Sequence, residues 1–458
     1  MGTNVSNSKS KLPVSPELSE KQASLGLFDA VSIIVGIVIG AGIFETPALV
    51  AEAAGNAITV IGLWLGGGII SLIGALCFAE LATNYPHPGG SYYYLNRAFG
   101  KRIAFLFAWA RLSVVQTGSI AILAFVFGDY TAQIFSLDGL GNIGNYSASV
   151  YAGLAIILST GLNIIGIRQG KQAQNWLSSL KVLGLVLVVF AGLVFTLNLN
   201  PLQPSVTSSN NSTNLNLGLG LVFVLLSYGG WNEAAFISAE LKNVRRNMLR
   251  SLLWSIGIIT LIYLLINFAY LKGLGINGMA NSQAVAADLM RKISGEPGAI
   301  FISVLIALST LGALNATIIT GARSNYALGR DFSLFSFLGK LNNSNTPVNA
   351  YLLQSAIAIL LIVLGSFTRK GFETMVDYTA PVFWFFFLLC GISLFRLRIK
   401  ESHVERAFQV PLYPLTPIIF CLTCGYLLYS SIAYTEIGAV FGVVVVLIGI
   451  PMSGNSEQ

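Results

Sequence analysis

Charge is scarce in this chain: only 10% of its 458 residues are Asp, Glu, Lys or Arg, against roughly a quarter in soluble domains. So few ionised groups cannot cover a soluble surface, and a freely soluble globular protein is excluded. Histidine is scarcer still, with His87 and His403 alone and both in polar connections, so a histidine-based metal site lacks ligands and no cofactor is expected. Cysteine is limited to Cys77, Cys390, Cys421 and Cys424, all inside apolar runs, which excludes a disulfide framework. The Cys421-x-x-Cys424 pair has neither a second pair nor a nearby His and reads as ordinary packing. The net charge of +7 does not indicate nucleic acid, because its Lys and Arg are scattered between apolar runs instead of clustering on one solvated face.

What fills the chain is apolar: 54% hydrophobic residues and a mean hydropathy of +0.73, the composition of a polytopic membrane protein. Counting apolar stretches long enough to cross about 30 Å of hydrocarbon gives twelve candidate spans. They cover roughly 27–54, 57–84, 103–135, 148–167, 174–197, 217–239, 250–273, 299–324, 349–367, 372–395, 413–432 and 436–452. The first run is too long for a signal-peptide core and is expected to stay as a span. Residues 1–26 are polar and Ser-rich and read as a disordered cytoplasmic tail. Residues 198–216 form an Asn- and Ser-rich extracytoplasmic loop without a single charge, and 279–292 read as a short surface helix. With both termini inside, the inner connections hold nineteen of the 26 Lys and Arg and the outer ones five, which predicts that orientation.

Two of the spans are weakened in the middle. Gly36-Ile37-Val38-Ile39-Gly40-Ala41-Gly42-Ile43 carries three glycines at the depth of a bilayer centre, and Leu226-Ser227-Tyr228-Gly229-Gly230-Trp231-Asn232-Glu233 repeats the pattern in the sixth span. Glycines there can serve close helix packing, as Gly66-Gly67-Gly68 is expected to, or they can interrupt the helix. An interruption frees N–H and C=O groups that hydrocarbon cannot satisfy, so a polar object must bind there. Breaks in spans one and six predict an inverted repeat of spans 1–5 (27–197) and 6–10 (217–395). A connection at 396–412 and two further spans in 413–458 follow.

Amides near Ala41 and Gly42 suit a carboxylate, and the carbonyls of Val38, Ile39, Leu226 and Ser227 suit an ammonium, so a zwitterion fits the pair. Glu45 and Glu233 each follow the last glycine of their break by three residues, and read either as ligands or as first-turn caps, the cap being preferred. Lys181 lies about seven residues into the fifth span, too deep for easy snorkelling. Its ammonium is expected to hold the broken first helix against the eighth span near Ser309 and Thr310. Arg111, in the third span, reads as a snorkelling or paired residue.

The motifs now on the page resemble those of the amino acid–polyamine–organocation superfamily, and within it the L-type amino acid transporter-like members. They are Gly40-Ala41-Gly42-Ile43-Phe44, Ala79-Glu80-Leu81, the Pro86 to Tyr92 segment, Tyr228 to Asn232, Glu240 to Asn243, Gly321 to Asp331 and Thr346-Pro347. The resemblance covers residues 27–400. It implies an all-α, LeuT-like fold of twelve transmembrane helices with broken first and sixth helices. It also implies sodium-independent amino-acid exchange or proton coupling through alternating access. Substrate-binding positions would be Val38 to Ile43, Leu226, Ser227, Gly229, Gly230, Trp231 and Asn232, with Lys181 standing where sodium-coupled relatives hold the ion. The sequence departs from the family at Ala41, where Ser is common, and at Val244 and Met248, where prolines are common. Animal members join a heavy subunit through a cysteine between spans three and four, and residues 136–147 contain none, so no disulfide-linked heavy subunit is expected.

Neutral amino acids are the expected cargo in the cell membrane. A cationic amino acid or polyamine carrier would use the same breaks, and a non-transporting sensor would bind with the same residues. A membrane enzyme would need an intramembrane base, nucleophile or metal cluster, and no span supplies one.

Overall fold

Helix dominates because nearly every apolar run must satisfy its own backbone. The computed structural model describes residues 25–85, 87, 89–137, 144–165, 171–196, 216–233, 241–342, 346–368, 371–403, 406–433 and 437–454, without the side chains of 171–182, 196, 233, 244, 245, 437, 453 and 454. The expected tail and most of the 198–216 loop lie outside these residues.

Twelve residues form α1 (Leu27–Val38), and the chain then unwinds over Ile39–Ala41 before α2 (Gly42–Ala54), which leaves at 55° to α1. Gly55, at φ 67°, ends α2, and the Asn56 side chain caps the next helix by accepting from Thr59 N at 2.9 Å. That cap makes the start of α3 (Ala57–Asn84) coincide with the hydropathy boundary. Then come α4 (Ser91–Phe99), α5 (Lys101–Ala110) and α6 (Gln116–Ala132), the last two joined by a π-helical turn, Arg111–Val115. Next are α7 (Ser147–Ile165), α8 (Lys171–Thr196) and α9 (Leu217–Ser227), which stops at the second break. The rest is α10 (Val244–Ala280), α11 (Val285–Asp331), α12 (Val348–Phe367), α13 (Gly371–Lys400), α14 (Leu415–Ala433) and α15 (Ile437–Gly454).

Among the described residues eight helices are long and apolar enough to cross a membrane, or nine with the bent pair α1–α2 as one span. The expected surface helix at 279–292 is part of two longer elements, which kink at Gly275 and Gly295, both at φ 74°. Its apolar side is not on the surface: Ala286, Ala287 and Leu289 are buried, while Arg291 pairs with Asp288 and Glu296 outside.

The broken pair lies at the centre, with α1 on α10 and α2 on α9 and α10. Close approach is set by small residues. A Cβ on Gly67 would lie 2.3 Å from Val224 Cγ1 of α9, and one on Gly68 2.3 Å from Thr260 Oγ1 of α10. The packing role expected for this glycine run is thus what Gly67 and Gly68 perform, while Gly66 meets nothing within 4 Å.

At the end of the bundle where α3 and α13 finish, a charged network ties three segments together. Glu80, 3% exposed in its side chain, accepts from Arg398 Nε at 2.7 Å and Nη2 at 2.5 Å, and from the Val410 amide at 2.6 Å. Asn84, one turn on, accepts from Ala407 N and donates to Phe408 O. The nearby Arg97–Glu401 pair is more open, with Arg97 39% exposed. Removing one partner of a buried, bidentate pair strands the other charge, whereas an exposed pair contributes little. Glu80→Ala should therefore cost about 3–5 kcal/mol in denaturant or thermal unfolding in detergent, and Arg97→Ala about 1 kcal/mol or less. Equal losses would show that the Glu80 network is not what clamps this end.

Candidate binding site

At the first break, the amide of Ile39 still donates to Val35 O at 2.9 Å, and Gly40 N turns back to Val38 O at 2.7 Å. Phe44 N donates to Ala41 O at 3.1 Å. Between them the amides of Ala41, Gly42 and Ile43 have no acceptor among the described residues. They stand at the N-terminus of α2, where the helix dipole concentrates about half a positive charge. Three converging N–H groups and that dipole make an anion cradle without any cationic side chain.

At the second break α9 ends at Ser227, Gly229 N turns back to Leu226 O at 3.0 Å, and Gly230 takes φ 105°. A side chain at Gly230 would be strained by that backbone and would lie 3.0 Å from Ile37 Cγ2. The chain continues as a single 3-10 turn, Trp231–Glu233.

The two breaks face each other. A Cβ on Gly42 would sit 3.0 Å from Ser227 Oγ and 3.3 Å from Ser227 Cα, so backbone approaches backbone there. Thr46 Oγ1 donates to Gly42 O at 2.9 Å and shares a 2.6 Å hydrogen bond with Ser227 Oγ. From α10, the fully buried Tyr263 hydroxyl lies 2.9 Å from Ser227 O and 3.2 Å from Val38 O, one phenol spanning both breaks. Of the four carbonyls expected to face an ammonium, Val38, Leu226 and Ser227 therefore already accept a hydrogen bond. Only Ile39 O has no donor among the described residues. Each occupied carbonyl keeps a second lone pair, since C=O accepts two hydrogen bonds.

Val38 to Ile43 and Leu226 to Gly230 are thus brought together. Trp231, expected beside them, has its ring in an aromatic cluster instead, 5.3 Å from Phe78 and 5.5 Å from Phe387, over Gly74. Asn232 faces a cavity with Gly230. Ser309 and Thr310 are buried on α11, which packs on α8 where Gly184 meets Leu305. Lys181 belongs to that α8 segment, but its side chain and that of Glu233 lie outside the described residues. Glu45 is in the first turn of α2, yet it makes no capping hydrogen bond among the described residues, and its Oε1 is buried without a partner. The hydrogen-bonded cap expected at Glu45 is not formed among the described residues, where the amides of Ala41 to Ile43 have no acceptor.

A path leads from the Glu80 end to the breaks. A chamber of about 360 Å³, lined by His87, Tyr92, Asp331, Phe107 and Arg111, shares the last two residues with an inner cavity of about 180 Å³. The inner cavity reaches Gly230 and Asn232 and shares Ser119, Gly230 and Phe383 with a third, of about 200 Å³, lined by Leu226, Gly229, Thr379 and Trp384. On the opposite side the Tyr130 hydroxyl donates to Phe44 O at 3.0 Å, and the two rings meet edge to face. Tyr263, Ser119, Gln116 and Phe383 carried no signal in the sequence: each is an ordinary residue within an apolar run, and hydropathy does not say which way a side chain points.

Comparison with known proteins identifies the family. Residues 25–451 match the family model described as amino acid permease. The chain is 31% identical to the b(0,+)-type amino acid transporter 1 of Mus musculus over 422 residues, covering 90% of this chain and 83% of that protein. It is 30% identical to the large neutral amino acids transporter small subunit 2 of Homo sapiens over 435 residues, covering 93% and 79%. The chain belongs to the amino acid permease family; it is a multi-pass membrane transporter of amino acids, not an enzyme.

Tyr263→Phe removes a hydroxyl that bridges both breaks and leaves Ser227 O without that donor, while Val38 O keeps Gly40 N, a loss of about 1–1.5 kcal/mol. Exchange in proteoliposomes should fall about tenfold at unchanged protein yield. Undiminished exchange would mean that the bridge does not organise the site.

Proposed function

We propose that the chain carries neutral L-amino acids by sodium-independent exchange or proton coupling, rocking around a zwitterion site formed by the two breaks. The observation that carries this is the cradle: three unpaired amides at the start of α2, held against the carbonyl end of α9 by Gly42, Ser227 and Tyr263. A carboxylate sits on the amides of Ala41 to Ile43. The ammonium takes Ile39 O and the remaining lone pairs of Val38, Leu226 and Ser227. Recognition through main-chain groups leaves the side chain to the third cavity, whose Val376, Ile122 and Trp384 suit uncharged groups. The relatives whose names include neutral amino acids support the same cargo.

Three shorter apolar helices, Leu183–Phe195, Leu217–Ser227 and Gly438–Met452, complete twelve spans with the eight long helices and the bent pair. Breaks in spans one and six support the inverted repeat, and the distribution of Lys and Arg supports cytoplasmic termini. On that orientation the connected cavities open to the cytoplasm, and the Tyr130–Phe44 contact closes the outside. Lys181 replaces a coupling cation between α8 and α11. Residues 136–147 lack cysteine, so a disulfide to a heavy subunit is not part of this reading. Glu45, with its unpartnered Oε1 next to the site, favours a second reading in which the cargo is a cationic amino acid or polyamine.

Purified protein in liposomes preloaded with alanine should show stereoselective counterflow of neutral L-amino acids at the same rate with and without sodium. Counterflow of lysine or putrescine alone would establish the second reading, binding without flux would establish a sensor, and a strict sodium requirement would overturn the role of Lys181.

A further inference from the structure

Arg111 stands at the narrow junction of the path. It lines both the outer chamber and the inner cavity, half-buried between them. It is also the first residue of the π-helical turn that joins α5 to α6, and such turns recur at functional sites because their extra residue redirects the side chains that follow. Among the described residues its guanidinium has no hydrogen bond and no ion pair. An arginine kept inside a membrane protein for folding alone is paired with an acid or with backbone carbonyls. One without a partner keeps its five N–H donors and its charge available to whatever passes.

The surroundings give that charge a direction. In the outer chamber the other ionisable groups are His87, Tyr92 and Asp331, none of which lines the inner cavity. Among the described residues, the inner cavity between Arg111 and Gly230 is lined, Arg111 apart, by uncharged side chains, among them Ser91, Gln116, Ser119 and Asn232, and by phenylalanines. Gln116 is committed through its Nε2 to Thr317 O at 2.8 Å, and Ser119 to Val115 O at 2.7 Å. Among the described residues, a substrate passing between the breaks and the outer chamber through the inner cavity therefore meets the Arg111 charge before the Asp331 carboxylate. Walls of low polarizability lengthen the reach of that charge.

We propose that Arg111 sets the charge selectivity of the carrier, admitting L-amino acids with a neutral or carboxylate-bearing side chain and rejecting those with an ammonium or guanidinium side chain. This rests on the carrier reading above. It counts against the cationic alternative despite Glu45, because Glu45 is not among the residues that line the three cavities.

The test is a counterflow panel in alanine-loaded proteoliposomes, reading glutamate, lysine and alanine uptake by the wild type and by Arg111→Lys, Arg111→Gln and Arg111→Glu, with each rate divided by the alanine rate of the same protein. The wild type should take glutamate at least about tenfold faster than lysine. The glutamate-to-lysine ratio should fall at least about tenfold in Arg111→Gln, invert in Arg111→Glu and stay near the wild-type value in Arg111→Lys. A wild type that moves alanine but takes lysine as readily as glutamate overturns the assignment, whether or not the variants fold. So does a ratio that is the same in Arg111→Gln as in the wild type. A wild type without any amino-acid counterflow overturns the carrier reading itself.

Discussion

Backbone groups released inside a hydrocarbon layer have no water to turn to, and each one left unpaired costs several kcal/mol. The whole centre of this protein follows from how two released stretches are handled. At the Gly40–Gly42 break some groups close on themselves, as Gly40 N does on Val38 O, and at the Gly229–Gly230 break Gly229 N does the same on Leu226 O. Tyr263 supplies a donor to Val38 O and Ser227 O together, which locks the breaks to each other. Among the described residues, the groups left unpaired at the first break include the amides of Ala41, Gly42 and Ile43 and the carbonyl of Ile39. A ligand that completes the set must bring an anion with several lone pairs beside a compact donor, the shape of an amino acid's main-chain end.

The rest of the bundle holds that pair in place while leaving one side open. Gly67 and Gly68 let α3 approach α9 and α10 closely, and the hydroxyl of Tyr228 donates to Trp64 O at 3.0 Å, so the second break is braced from behind. At one end Glu80 gathers Arg398 and the Val410 amide, so the end through which the path opens carries a buried polar clamp. The charge of Arg111 lies between that mouth and the cradle. On the proposed reading recognition is divided: main-chain groups read what all amino acids share, and the walls of the path read the side chain.

Much of the architecture was legible in the order of residues. The second span begins at Ala57 as hydropathy predicts because Gly55 and Asn56 supply a left-handed stop and a cap, and α12 keeps nearly the boundaries expected for 349–367 because Pro347 precedes it. Glycine spacing marked both breaks. The partners of those breaks were not legible. Tyr263 is one tyrosine in an apolar run, and only the packing of α10 on α1 and α2 aims its hydroxyl between two carbonyls. Trp231 sits inside a motif and so reads as a ligand, but a large ring beside Gly74 gains more by burial against Phe78 and Phe387 than by facing a wet cavity. Glu45 matched a capping position, yet its buried oxygen has no partner, which spacing alone does not reveal. The π-helical turn at Arg111 leaves no mark in composition at all.

The central claim is that main-chain groups at the two breaks recognise both ends of a zwitterion, and the most direct measurement is competition against counterflow of one neutral amino acid. The competitors are that amino acid, its decarboxylated amine, its deaminated acid and its methyl ester. If three amides hold the carboxylate through charge-assisted hydrogen bonds, the amine and the ester should compete at least about a hundredfold more weakly than the parent. An amine that competes as well as the amino acid would contradict the account, because the cradle at Ala41 to Ile43 would then bind nothing.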